Sequence, residues 1–134
     1  MMPAVSVILP TCDRPDLWPR ALASVLRQSW ADLEVVLIDS NRRTPPISSK
    51  PEWAGLLADP RVVLVARPHA PCAAAARNLG LTVARGEWVT YLDDDDEYHP
   101  DKVANLGPEF VKVAEERFKS IQQAYEEIRR EKGF

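Results

Sequence analysis

Four consecutive aspartates, Asp93-Asp94-Asp95-Asp96, follow the short apolar run Trp88-Val89-Thr90-Tyr91-Leu92. Such a β-branched and aromatic run reads as a buried parallel strand, here delivering carboxylates to the edge of a sheet. Adjacent like charges are unfavourable unless water, a basic side chain or a cation neutralises them. Two chemistries fit. One is a site for a hard divalent cation, which takes oxygen ligands from carboxylates. The other is a helix cap made by one aspartate, with the rest solvated.

The elements that must position this cluster can be traced from the first residues. Ala4 to Leu9 is an apolar strand ended by Pro10, and Asp16-Leu17-Trp18-Pro19 opens a helix with proline in its first turn. Leu17, Ala21, Ser24, Val25 and Gln28 then share a helical face, with Leu22 and Leu26 beside it. Leu33 to Ile38 is a second buried strand closed by Asp39. From Ser40 to Pro51 the prolines exclude regular structure, and Glu52 to Leu57 suits a short helix. Arg61 to Ala66 is a third strand. Cys72 to Arg85 reads as an alanine-rich helix with Gly86 at a left-handed stop, and the Trp88 strand is fourth.

This alternation implies an α/β fold: a parallel sheet of about four strands with flanking helices and right-handed crossovers. In such sheets ligands bind beyond the carboxyl ends of the strands. Pro10-Thr11-Cys12-Asp13, Asp39, the His69 loop and the aspartates all fall at that end. The alanine run Ala73 to Ala76 either lets a helix approach the sheet closely or simply favours helix. His69 is given no role. Trp18, Trp30, Trp53 and Trp88 are expected in the core or at its boundary.

The 134 residues suffice for one ordinary domain, with 46% apolar and 28% charged residues placing the chain among globular proteins. A net charge of -3 gives no basis for nucleic-acid binding. No apolar run approaches a bilayer crossing, and a cytoplasmic location is expected. Cys12 and Cys72, without CxxC spacing, read as reduced thiols rather than a zinc site. No GxGxxG or P-loop pattern is present.

Residues 4 to about 102 resemble the family 2 glycosyltransferases of the GT-A fold. The resemblance is carried by Val5-Ser6-Val7-Ile8-Leu9-Pro10-Thr11 with Asp13-Arg14-Pro15, by Ala74-Ala75-Ala76-Arg77-Asn78-Leu79-Gly80, and by Tyr91-Leu92-Asp93-Asp94-Asp95-Asp96 with Pro100. It implies a donor site for a nucleotide-diphosphate sugar, a UDP-sugar first. Pro10, Thr11 and Asp13 would line base and ribose, Asp39 would recognise them, and Arg77 and Asp94 would lie near the nucleotide. Mn2+ or Mg2+ would be held by Asp93 and Asp95. Arg77 has the alternative of a helix-face salt bridge. Where the family has a second acidic residue after its second strand, Ser40-Asn41-Arg42-Arg43 stands here. Those arginines meet phosphate or are solvated. The family's acceptor half and catalytic base follow the aspartates over roughly another domain's worth of chain, for which no counterpart is found. Donor binding is thus the expectation, with glycosyl transfer and a catalytic residue left unassigned.

Beyond Pro100 the composition shifts to Glu, Lys, Arg and Gln, with Phe110, Ala114, Phe118, Ile121, Tyr125 and Ile128 at three- and four-residue steps. Pro108 and Glu109 suit the start of one long amphipathic helix and Gly133 its end. Residues 99 to 134 resemble the second half of a DnaJ-like J domain, whose His99-Pro100-Asp101 would contact a heat-shock chaperone. The sequence thus divides into a half-domain over 1–100 and a helical segment over 101–134 packed on the sheet. A chimera, natural or engineered and with a structural role only, is the alternative reading, and a J-domain-like co-chaperone fragment is another. The sheet edge left after four strands offers a homodimer contact.

Overall fold

The computed structural model describes residues 2–68, 70, 73–105 and 107–133. His69 and Cys72 lie outside them. The elements in order are β1 (Val5–Thr11), α1 (Trp18–Leu26), β2 (Leu33–Asp39), two 3-10 turns (Ile47–Ser49 and Pro51–Trp53), α2 (Ala54–Leu57), β3 (Val62–Ala66), α3 (Ala73–Val83), β4 (Trp88–Tyr91), β5 (Val111–Lys112) and α4 (Val113–Lys132). The sheet order is β3-β2-β1-β4-β5. The first four strands are mutually parallel, and β5 runs antiparallel to β4 through Trp88↔Lys112 and Val89↔Val111. The edge beyond β4 is therefore partly covered by this chain itself.

Strand alternation separates two cores. Val5, Val7 and Leu9 with Leu33, Val35 and Leu37 face α1, where Trp18, Ala21, Leu22 and Val25 are buried. Ile8, Val36 and Ile38 face the other way, with Ala76 and Leu81 of α3 and with Val89 and Val113. The result is a three-layer α/β/α arrangement. Trp18 meets Trp53 edge to face with ring centroids 4.9 Å apart, whereas Trp30 is 44% exposed, outside the core or boundary placement expected of it.

Strand β1 does not stop at Pro10 but runs through it to Thr11. Pairing of β1 with β4 ends at Ile8↔Tyr91, while pairing with β2 continues to Thr11↔Asp39. Ile8 presents its carbonyl to Leu92 N–H at 3.0 Å, so Pro10, two residues on, turns its edge to the side where β4 has already ended. Its missing donor interrupts no ladder there.

Gly86 has a different purpose from the one expected. Among the described residues the only glycine with a left-handed backbone is Gly133, at φ 72°. Gly86 instead lies against β1: a Cβ there would come within 2.7 Å of Ser6 Oγ, 2.8 Å of Ser6 N and 2.9 Å of Val5 C. The Gly86 N–H donates to Ser6 Oγ (2.9 Å), and the Ser6 hydroxyl donates to Glu34 Oε2 (2.6 Å). Glu34, fully buried, also accepts from Arg85 N (2.7 Å) and Arg85 Nε (3.0 Å). This network fastens the α3–β4 turn beneath β1 and β2.

The last helix also departs from expectation. It begins at Val113, because Val111 and Lys112 pair with β4. Its first turns are fastened to the body: Val113 is buried, Glu116 accepts from the Tyr91 hydroxyl (3.2 Å), and Arg117 donates to the carbonyls of Leu81 and Ala84. A guanidinium on the last carbonyls of α3 satisfies acceptors that a helix end leaves open. Beyond that point the helix does not lie on the sheet. Phe118, Ile121, Tyr125 and Ile128 are 67, 69, 58 and 50% exposed. They project from a face of α4 about 110° around the helix from the anchoring residues, at 100° per residue.

Candidate functional site

At the carboxyl ends of β1 and β4 a cavity of about 480 Å³ opens. Pro10, Thr11 and Cys12 line it from β1, Ser40 and Arg42 from the segment after β2, Ala73, Ala76 and Arg77 from α3, and Asp93, Asp94 and Asp95 from the turn after β4. Arg14 and Ala70 complete it. From α3 the cavity is lined by the small side chains of Ala73 and Ala76; one turn further on, Gly80 lets the helix approach β1, since a Cβ there would meet Ile8 Cγ2 at 2.6 Å.

The aspartate run forms a turn, closed by Asp96 N donating to Asp93 O at 3.1 Å, and its carboxylates divide by direction. Asp94 is 7% exposed and points inward, accepting from Thr11 Oγ1 (2.9 Å) and pairing with Arg14 Nη1 (3.0 Å). Asp93, Asp95 and Asp96 point outward, with one oxygen from each within 4.8 Å of the others. Three clustered carboxylates of this kind are a donor set suited to a hard divalent cation. Asp96 thus joins the two aspartates expected there. No helix follows within the turn, so none of the four is an N-cap.

Opposite charge faces this cluster. Arg77 Nη2 donates to Asp93 (2.8 Å), and Arg42 Nη2 donates to Ala70 O. Arg77 Nε and Ser40 Oγ are buried without a hydrogen-bond partner. The cavity is therefore lined by three arginines and three aspartates, with Arg77 paired to Asp93 and Arg14 to Asp94, a mixture of charge able to hold an anion and a cation side by side.

Asp13 and Asp39 lie next to the cavity rather than on its wall. Asp39 is buried and accepts from Asn41 N (3.0 Å) and Ile47 N (2.8 Å). Asp13 adopts a left-handed backbone (φ 54°), which short polar residues tolerate better than most. Its Oδ1 accepts from Arg42 N, Arg43 N, Thr44 N and Thr44 Oγ1 at 2.9–3.0 Å. Both carboxylates hold the segment 41–47 that carries Arg42 to the cavity. These backbone donors hold the Asp13 carboxyl well below its usual value of 3.8. A folded-state pKa below the unfolded one stabilises the fold above pH 3.8, and this contribution is lost as pH falls further. We expect Asp13→Asn to flatten the loss of stability between about pH 5 and about pH 3, measured by urea unfolding at each pH.

Cys12 is a free, exposed thiol that donates to Ser40 O at 3.2 Å. Burial, then the neighbouring Asp13 charge, pushes its pKa up, away from a nucleophilic thiolate. Arg14, Ser40 and Cys12 were not singled out by sequence reasoning as wall residues. The stretches that hold them, Pro10-Thr11-Cys12-Asp13, Asp13-Arg14-Pro15 and Ser40-Asn41-Arg42-Arg43, were nevertheless expected at this end of the sheet.

His99, Pro100 and Asp101 are exposed and lie away from the cavity. The backbone there is tied to the end of α1: Gln28 Nε2 donates to His99 O (2.7 Å) and Ser29 N to Pro100 O (2.9 Å). Strand β4 and the aspartate turn precede this tripeptide.

The sheet order, the cavity over β1 and the carboxylate turn beyond β4 define an α/β domain of the GT-A type. The mannosyltransferase PcManGT from Pyrobaculum calidifontis, solved in complex with GDP-Man and Mn2+, superposes with a TM-score of 0.68 at 31% identity over 78% of this chain and 31% of that one. TarS of S. aureus, residues 1-349 with UDP-GlcNAc, shares the fold at a TM-score of 0.65 and 22% identity, over 76% of this chain and 29% of that one. The chain belongs to glycosyl transferase family 2, whose model matches residues 6–129. That match runs through both stretches that the sequence divided between two families. The succinoglycan biosynthesis protein ExoO of Rhizobium meliloti is 31% identical over 105 residues, 78% of this chain and 29% of ExoO. The GalNAc(5)-diNAcBac-PP-undecaprenol beta-1,3-glucosyltransferase of Campylobacter jejuni is 35% identical over 98 residues, 72% of this chain and 31% of that enzyme. The chain thus spans under a third of either relative. Among the described residues no helix is long and apolar enough to cross a membrane.

Proposed function

We propose that the cavity binds a nucleotide-diphosphate sugar, UDP-linked in the first instance, together with Mn2+ or Mg2+, as the donor side of glycosyl transfer. The observation that carries this reading is the juxtaposition of Arg14, Arg42 and Arg77 with the aspartate turn across one cavity. The donor set fits the metal, since Asp93, Asp95 and Asp96 offer only hard oxygen ligands, already gathered. When bound, such an ion offsets negative charge on a leaving diphosphate, a Lewis-acid role. Arg77 can exchange Asp93 for a phosphate oxygen, and its unpartnered Nε gives that guanidinium a donor to spare. Pro10 and Thr11 supply the floor beneath base and ribose. Asp94 holds Thr11 and Arg14 in place. Asp13 and Asp39 act through the segment they hold, keeping Ser40 and Arg42 at the wall. PcManGT, crystallised with GDP-Man and Mn2+, supports the pairing of nucleotide sugar and metal.

Calorimetric titration of UDP with and without Mn2+ tests this reading. Binding is expected to require the metal and to weaken by roughly tenfold or more in Asp95→Ala, as loss of a group supporting a metal site does. Asp95 is exposed, so the substitution leaves the core intact. Equal affinity in EDTA and in Mn2+ would overturn the metal assignment, and no binding by folded protein would overturn the donor site.

A further inference from the structure

We propose that Arg77 couples the two ligands of the cavity: its ion pair with Asp93 closes both half-sites in the empty chain, and metal and diphosphate open them together. This inference rests on the donor-site reading above. Arg77 Nη2 lies 2.8 Å from Asp93 Oδ1, and Asp93 is also one of the three residues whose oxygens gather within 4.8 Å of one another. Asp95 and Asp96 enter no ion pair among the described residues, so Asp93 alone belongs to both arrangements.

A guanidinium and a divalent cation compete for one carboxylate, and a carboxylate and a phosphate compete for one guanidinium. In the empty chain each partner therefore blocks the other's guest. To take a metal alone, Asp93 must give up Arg77, which then stands beside the ion as an unpaired like charge. To take a diphosphate alone, Arg77 must give up Asp93, whose freed carboxylate repels the newcomer. With both ligands present, Asp93 turns to the metal and Arg77 to a phosphate oxygen, and neither charge of the pair lacks a partner. The two side chains are 38 and 56% exposed, which leaves the exchange open without any disturbance of α3. By linkage, UDP raises Mn2+ affinity by the same factor as Mn2+ raises UDP affinity, and part of that factor passes through Arg77.

Titration of the whole chain with Mn2+ and no nucleotide, followed by the paramagnetic resonance signal of the free ion, tests the coupling. Arg77→Gln is expected to bind Mn2+ roughly threefold to tenfold more tightly than the parent, since both the competing pair and its positive charge are gone. Arg42→Gln removes the same charge from the same cavity without touching Asp93, and should change Mn2+ affinity less. With Mn2+ present, Arg77→Gln should bind UDP more weakly, the opposite direction. A second pair of variants reads the other half-site. In EDTA, Asp93→Asn should bind UDP more tightly than Asp96→Asn, because each loses one carboxylate charge and only the first frees the guanidinium. Both positions are exposed, so neither change reaches the core. Mn2+ affinity unchanged or lowered in Arg77→Gln, or equal UDP affinities for the two asparagine variants, would overturn the coupling while metal-dependent UDP binding by the parent left the donor site standing. A folded parent that binds no UDP would overturn the donor reading and the coupling with it.

Discussion

Glu34→Ala is expected to lower the stability of the domain by about 3 kcal/mol, read from urea or thermal unfolding. The carboxylate is 1% exposed in the second strand of the sheet, and four hydrogen-bonding contacts depend on it directly or through Ser6. Removing it strands the Ser6 hydroxyl and the Arg85 N–H, and each buried donor left without an acceptor costs roughly 1–3 kcal/mol. The Arg85 guanidinium adds little, because its side chain is 52% exposed and recovers water. Glu34→Gln keeps one acceptor oxygen and should lose about half as much. A loss below about 1 kcal/mol for the alanine variant would mean that the network is ornamental to the fold.

Gly86→Ala should cost about 2–3 kcal/mol or more, at the upper end of what overpacking causes. Two of the three atoms its methyl would strike are backbone atoms of β1, and these cannot rotate away. By contrast, Gly55→Ala meets nothing within 4 Å and serves as the control for glycine's own flexibility. Because Gly86 and Glu34 both act on Ser6, the double variant should lose less than the two single losses combined. Strict additivity would show that the contacts are independent.

The alternation of apolar runs with helical periods made the four parallel strands and α1 to α3 legible, and Pro45, Pro46 and Pro51 marked a stretch without strand or α-helix, although 3-10 turns form at Ile47–Ser49 and from Pro51. What the pattern could not supply was how each polar atom is spent. Asp13 and Asp39 lie at the expected end of the sheet, yet their oxygens are taken by backbone N–H groups, a fact about loop geometry. Gly86 sits one turn past a helix, where a left-handed stop is the usual reason for glycine, but contact with β1 decides it. Strand β5 has two residues, too few for any period to register. The seam of α4 was visible in the spacing, whereas its turning away from the sheet depends on Arg117 and Glu116 gripping the body from another face. In the site, the aspartate run and Arg77 were legible. Arg14 and Asp96 entered with the turn that aims Asp94 inward and its neighbours outward, and Ser40 with the segment that follows β2.

That division of the turn gives the aspartate run a tolerance for error. One inward carboxylate and outward neighbours on both sides are needed, and the chain offers four identical residues for those places. Deleting any one of Asp93 to Asp96 yields the same polypeptide, in which three aspartates still separate Leu92 from Glu97. A slip of one residue in β4 likewise exchanges one aspartate for another at three of the four places, with Glu97 or Leu92 entering the fourth. Repetition here works as redundancy: the gene can lose a codon at this point and still encode the in-and-out pattern.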